Sequence, residues 1–272
     1  MIDLQIHTIA TAHHAFWTPE ALATAAAAAG LSTIAATDHN TMASVRALLD
    51  AGAFLGVRVI PGVEIDSGFG GKLWHVLIYG VAPENMALQA LCNAVFARNH
   101  ADASALRERL IASGFRLDAL AALDRPVNVA DVASALAVAN TLPGRAAHEP
   151  DESAGMRYVL QVLPGSYRPI SVDEIVGVAH AAGGKVVLAH PGRDKGVYAI
   201  PADEVDIAAM AEAGIDGIEV YYPTHTPEQQ ARYLDLAQRY RLLVTGGSDS
   251  HGPEQPLARW PEALCRDFLD AL

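Results

Sequence analysis

Ile2-Asp3-Leu4-Gln5-Ile6-His7, followed by Thr18-Pro19-Glu20 and an alanine-rich run that stops at Gly30, reads as a strand, a metal-ligand-type residue at its end, and a helix. Thr18 is a helix N-cap, Pro19 fits the first helical position, and Glu20 places an acid in the first turn. Outward from this unit the same order recurs. Thr33–Thr37 is a second strand that runs into Asp38-His39, and a helix over about Met42–Leu55 follows. Val57–Ile65 carries Glu64. Lys185–Ala189 ends in His190-Pro191-Gly192-Arg193, and Leu242–Thr245 leads to Gly247-Ser248-Asp249-Ser250-His251. Further helices are expected near Asp203–Ala213 and from Thr226-Pro227-Glu228, with strand Gly217–Tyr221 between them. Strands alternating with helices of this length imply βαβ units and a parallel sheet. In a parallel barrel the strand C-termini converge, so residues spread along the whole chain meet at one end.

His7, His39, Glu64, His190, Asp249 and His251 all fall at or near such ends. His75 is the exception, early in strand Leu73–Val81, where a hairpin return brings it near Glu64. Imidazole and carboxylate are the donors that divalent zinc, manganese or iron accept. One such histidine alone is more often a hydrogen-bonded structural residue. Their joint placement points to a metal site.

The chain has 272 residues, 51% of them hydrophobic and 18% charged, which suits a compact α/β protein and excludes disorder. A net charge of −12 argues against a duplex-binding face built on bulk charge. Small anionic substrates stay open, because bound cations reverse the local field. Two cysteines, Cys92 and Cys265, leave no disulfide framework and make a reducing cytoplasm the expected compartment. With Ile2 expected to open a strand at once, no basic leader is expected. The alanine run is too short to span a bilayer, so no membrane partner is expected.

From about Pro83 to Arg168 the rhythm breaks. This stretch is alanine- and leucine-rich, helical by pattern at Asn85–Ser113 and Val129–Ala139, and reads as a helical cap on the ligand-bearing side. The expected division is a barrel domain over 1–82 and 170–272, with an inserted cap over 83–169. Gly144 to Gly155 is expected to be a mobile loop within the cap.

Around the candidate ligands, Asp38 is placed to orient its neighbouring histidine. Arg193, three residues past His190, has the planar fork that suits phosphate, the alternative being a surface ion pair. His225 and Glu219 follow or end a strand, and each is either a site residue or a satisfied structural one. His13 and His14 lie in the first strand-to-helix loop, within reach of the metals.

Taken together, Asp3-x-Gln5-x-His7, Thr37-Asp38-His39, Gly62-Val63-Glu64, His75, His190-Pro191 and Gly247-Ser248-Asp249-x-His251 resemble, in order, the motifs of the PHP (polymerase and histidinol phosphatase) family. They are most similar to its branch of small nucleotide phosphatases and oligoribonucleotide-trimming enzymes. The resemblance implies a distorted (β/α)7 TIM-like barrel that holds two or three divalent ions and hydrolyses phosphate esters of small phosphorylated substrates. It also implies that His7, Glu64 and Asp249 serve one ion, Glu64, His75 and His190 a second, and His39 and His251 a third.

Three departures stand out. Gln5 occupies the place of the first histidine, and as a neutral amide is a weak ligand, which favours a two-ion site. His13 or His14 replaces the usual loop aspartate. Val127-Asn128-Val129-Ala130-Asp131 lacks the cation expected of the cap. The expected chemistry is attack by a metal-activated water, with Arg193 and His225 on phosphate oxygens and an acid such as Asp38 nearby. The alternatives are a metal-dependent hydrolase or lyase acting on a non-phosphate substrate, and a non-catalytic metal-binding derivative.

Overall fold

The computed structural model describes residues 1–11, 15–194 and 201–272. His13 and His14 lie outside the described residues. Two compact units are present. The first takes Met1–Asn93, Ser171–Arg193 and Pro201–Leu272, and the second takes Ala94–Ile170.

The first unit contains β1 (Ile2–Ile6), α1 (Pro19–Ala28), β2 (Thr33–Ala36), α2 (Val45–Leu55), β3 (Arg58–Phe69) and β4 (Lys72–Tyr79). Helix α3 (Met86–Ala112) begins in this unit. In the second unit, α4 (Val129–Ala139) and α5 (Asp151–Val162) follow. The short strand β5 (Ile170–Ser171) precedes the remaining elements, α6 (Val172–Ala181), β6 (Lys185–Leu188), α7 (Glu204–Glu212), β7 (Gly217–Tyr221), α8 (Pro227–Tyr240), β8 (Leu243–Gly246) and α9 (Arg266–Asp270). Helix starts follow the capping residues. Thr18, Ser171 and Thr226 each accept a backbone N–H three residues on.

Among the described residues, eight strands form one mixed sheet: seven run in the order β1-β2-β3-β4-β6-β7-β8, and the short β5 pairs with β3. The expectation of an all-parallel sheet is corrected at β4, which runs antiparallel to both β3 and β6. The reason is local. Gly70 and Gly71, at φ +58° and +77°, make the tight turn that only an antiparallel pair can use. Beyond β8, Asp249 N–H donates to Gln5 O at 2.8 Å and His7 N–H donates to Ser250 O at 2.9 Å. The segment after the last strand thus lies against the first.

Among the described residues, two apolar clusters pack against the sheet. Ile2, Leu4, Ala35, Ile60, Leu77, Tyr79 and Val187 pack with Phe268 and Leu269 of α9. Ile6, Ile34, Ala36 and Trp17 pack with Leu22, Ala23 and Ala26 of α1 and Leu48 of α2. Strict alternation would keep Ile6 with Ile2 and Leu4. The β1–β2 register breaks between Asp3 and Ile6, and Ile6 crosses to the helix-covered side. Gln5, within the break, and His7, just beyond it, both reach Glu64.

The second unit corrects the expected loop over Gly144–Gly155, because α5 begins at Asp151. Asp151 and Glu152 favour the helix N-terminus. Arg157 donates to both Glu149 oxygens, and Arg145 to Asp151, which fixes the approach to α5. Gly155 is needed where α5 meets α4, since a Cβ there would lie 1.9 Å from Ala133 O. Among the described residues, no helix is long and apolar enough to cross a membrane.

Candidate metal centre

Glu64, fully buried on β3, is the point on which the strand ends converge. Its Oε2 lies 3.0 Å from His7 Nε2 at the end of β1 and accepts from Gln5 Nε2 at 3.1 Å. Its Oε1 lies 2.8 Å from His75 Nδ1 on β4 and 3.1 Å from His190 Nε2 beyond β6. His7 Nε2 is also 3.0 Å from Asp249 Oδ1, beyond β8. His39 Nε2 stands 4.0 Å from Glu64 Oε2. The His251 ring stacks on that of His7, centroids 4.2 Å apart, and its Nδ1–H donates to Asp249 O, leaving Nε2 free.

Among the described residues, three sets of donor atoms in this cluster lie within 4.8 Å of one another: His7, His39 and His251; His39, Glu64 and His75; and His7, Glu64 and Asp249. The seven strand-end candidates are therefore gathered in one place.

The donor set fits a divalent cation. His7 Nε2 is buried and faces two carboxylate oxygens, yet makes a geometrically sound hydrogen bond with neither. Burial by itself pushes this imidazole down, but the adjoining Asp249 and Glu64 carboxylates raise it to about 10. Burial pushes Glu64 up, and the charges of His39 and His75 with the other imidazoles bring it well below the usual carboxylate range. Two buried carboxylates thus draw positive charge to one point, as a metal site does. Burial holds His251 down at about 4, so at neutral pH its imidazole is in the form a metal needs.

Other side chains hold these in place. Asp38 accepts from Thr8 N–H, Thr8 Oγ1, Thr11 Oγ1 and Ser44 Oγ, which fills its carboxylate. Thr11 in turn meets His7 Nδ1 at 3.3 Å and accepts from His39 N–H. Asp38 thereby orients His7 through Thr11. Arg193 Nη1 pairs with Asp249 Oδ2 at 3.1 Å, and Tyr222 O–H donates to the same oxygen at 2.9 Å. His225 does not face the cluster with a free nitrogen. Its Nε2 accepts from Gly192 N–H and its Nδ1–H donates to Val220 O, so it braces the loop after His190. Glu219 is buried, accepts from His190 N–H at 2.8 Å, and is pushed well above the carboxylate range by burial.

Three site residues adopt left-handed backbone: Asn40 at φ +56°, His190 at +28° and Asp249 at +56°. Such conformations are costly outside glycine and collect at functional sites. Sequence reasoning overlooked Tyr222, Thr11, Asn40 and Asp66. Asp66 had a signal, since two residues past Glu64 in a strand is the same face.

A PHP domain model matches residues 3–110. Over 92% of its length the chain is 34% identical to the phosphoribosyl 1,2-cyclic phosphate 1,2-diphosphodiesterase of Eggerthella lenta, covering 94% of that protein. It is 28% identical to the 3',5'-nucleoside bisphosphate phosphatase of Chromobacterium violaceum, over 93% of this chain and 88% of that one. Among solved structures, an amidohydrolase from Chromobacterium violaceum with bound sulfate is similar at TM-score 0.71 and 26% identity, over 99% of this chain and 96% of its own. A Bifidobacterium adolescentis chain assigned as a metal-dependent phosphoesterase is similar at TM-score 0.68 and 27% identity, with the same coverage, 99% and 96%.

Proposed function

The chain belongs to the PHP domain family, and from that premise we propose that it hydrolyses a phosphate ester of a small sugar or nucleotide phosphate. The observation that carries the reading is Glu64, a buried carboxylate with imidazoles on both oxygens, as a residue bridging two ions would have. Within this reading His7, Glu64 and Asp249 would hold one ion, and Glu64, His75 and His190 would hold a second. His39 and His251 face the same space and would complete a third. Gln5 in place of a stronger donor favours two ions, with manganese, zinc or iron all compatible with the donor set. Bound divalent ions would lower the pKa of a water and offset charge on the phosphoryl oxygens.

The chain's own residues do the rest. Thr11 fixes the His7 ring, with Asp38 behind it. Tyr222 and Arg193 hold Asp249 from its second oxygen, and Arg193 keeps a fifth of its side chain in solvent, 20%, from which it meets a substrate phosphate. The two bonds from Asp249 and His7 across β1 support closure into a distorted (β/α)7 barrel. The two compact units support a division into a barrel domain, read as 1–82 and 170–272, and an inserted helical domain, read as 83–169, although the first compact unit extends to Asn93. Cys92 and Cys265, free and buried, suit a reducing compartment.

The test is turnover by manganese- or zinc-loaded protein on a panel of sugar cyclic phosphates, nucleoside 3',5'-bisphosphates and simple sugar phosphates. Cleavage of at least one, abolished by His190→Ala, is expected. Failure on the whole panel with every metal would overturn the reading.

A further inference from the structure

Asp66 lies two residues beyond Glu64 on β3 and stands behind two of the imidazoles that converge on Glu64. Its Oδ1 is 3.1 Å from His39 Nδ1 and 3.5 Å from His75 Nε2. The opposite nitrogen of each ring faces the cluster: His39 Nε2 lies 4.0 Å from Glu64 Oε2, and His75 Nδ1 lies 2.8 Å from Glu64 Oε1. One carboxylate oxygen thus touches the far side of both rings.

We propose that Asp66 is a positioning residue that fixes opposite tautomers on two candidate metal ligands, a proton on Nδ1 of His39 and on Nε2 of His75. A carboxylate only accepts, so the His39 Nδ1 bonded to it carries its hydrogen, and its negative charge 3.5 Å from His75 Nε2 favours the hydrogen on that nitrogen as well. The nitrogen that faces the cluster is then the bare one, as a metal requires. The added negative charge also raises the basicity of both rings. The inference rests on the reading that His39 and His75 serve a metal site.

The carboxylate is itself held. Asp66 N–H donates to Asn40 Oδ1 at 3.0 Å, which sets the Asn40 amide so that its Nδ2 donates to Asp66 Oδ2 at 2.8 Å. Asn40 N–H donates to Glu64 O, and Glu64 N–H to Asp38 O, so the segment carrying His39 is stitched to the strand carrying Glu64 and Asp66. Asn40 adopts left-handed backbone to do this, a conformation asparagine accepts better than most residues. With Asn40 fixed, an amide at position 66 would turn its single oxygen to Asn40 Nδ2. It would then present NH2 to His39, replacing an acceptor by a donor.

The experiment is zinc titration of the metal-stripped full chain by calorimetry, for wild type, Asp66→Asn and Asn40→Gly. Alongside it, long-range 1H–15N spectra of the histidine rings are recorded in zinc-loaded wild type. Asp66→Asn is expected to weaken zinc binding by about 10–100-fold, Asn40→Gly by less, with the thermal midpoint of each metal-free variant near that of wild type. The spectra are expected to show His39 protonated on Nδ1 and His75 on Nε2. Wild-type affinity in Asp66→Asn, or the reverse tautomers in wild type, would overturn the inference. If Asp66→Asn does not fold, the wild-type spectra still decide. If wild type binds no zinc, or Glu64→Gln binds it equally well, the metal-site reading fails and the inference with it.

Discussion

His75 Nδ1 stands 2.8 Å from Glu64 Oε1 across the hairpin that joins β3 to β4. With His7 on the other carboxylate oxygen, Glu64 is placed to serve both of the proposed ions. Glu64→Gln keeps the shape and removes the charge. Turnover is expected to fall by at least roughly 10³-fold, the equivalent of several kcal/mol of transition-state stabilisation. Bound metal per chain, measured by plasma mass spectrometry, should fall with it. A variant that retains full metal content and activity would contradict the shared-ligand reading.

Metal removal should also be visible in stability, because an ion that binds only the folded chain stabilises it by about 2.7 kcal/mol at a hundredfold excess over its Kd. Dialysis against a chelator is expected to lower the thermal midpoint and abolish turnover. Adding back manganese or zinc should restore both. An unchanged midpoint would mean that the buried carboxylates and imidazoles are held without a cation.

Arg193 and Tyr222 meet on Asp249 Oδ2. Arg193→Lys keeps the charge but loses the planar fork, so it cannot hold Asp249 and a phosphate oxygen together. A drop in kcat/KM of about 10²-fold is expected from misplacement alone, with metal content unchanged. Lysine at full activity would remove Arg193 from the site.

Asp3 is expected to make the stability depend on pH. It is fully buried, accepts from Ser248 N–H and Ala258 N–H, and burial pushes it up to about 7. A raised folded value means that the protonated form is favoured on folding. This contribution is complete below about 4, the unfolded value, and is lost as pH rises through about 7. The slope reaches at most about 1.4 kcal/mol per pH unit. Denaturant unfolding of metal-free protein from pH 5 to 8 should therefore show falling stability, and Asp3→Asn should flatten it. Equal slopes in the two proteins would rule Asp3 out as the cause.

Glycines 155 and 177 should respond in opposite senses. A Cβ at 155 would meet Ala133 backbone, which cannot move aside, and Gly155→Ala is expected to destabilise by about 1–3 kcal/mol. A Cβ at 177, within α6, meets nothing within 4 Å. Gly177→Ala should stabilise by roughly 0.5–1 kcal/mol. Thermal unfolding of the two variants checks both.

Much of the candidate site was legible because every candidate ligand except His75 falls at or near the end of an apolar run, and the topology brings those run-ends together. The direction of β4 was legible only in part: Gly70-Gly71 marks a hairpin, yet strand and helix alternation argued for parallel pairing. Asp66 escaped notice because an acid alternating with apolar residues reads as an ordinary solvated face. His225 was ambiguous for another reason. Its partners, Gly192 N–H and Val220 O, are backbone groups met only in the folded chain, and no side-chain pattern announces them. The Gly144–Gly155 stretch reads as a loop from its polar residues, whereas the ion pairs that start α5 depend on where Glu149 and Arg157 lie in space.

The left-handed backbone at His190 and Asp249 sets stability and chemistry against each other in any selection experiment. Each position would be more relaxed as glycine, and each glycine would delete a side chain that reaches the Glu64 cluster. A library sorted for thermal resistance alone is expected to accumulate glycine at 190 and 249 and to drift toward a robust, inert protein. Sorting for turnover should return His190 and Asp249 despite their conformational cost of roughly 1–3 kcal/mol apiece. The two positions therefore separate survival of the fold from survival of the activity.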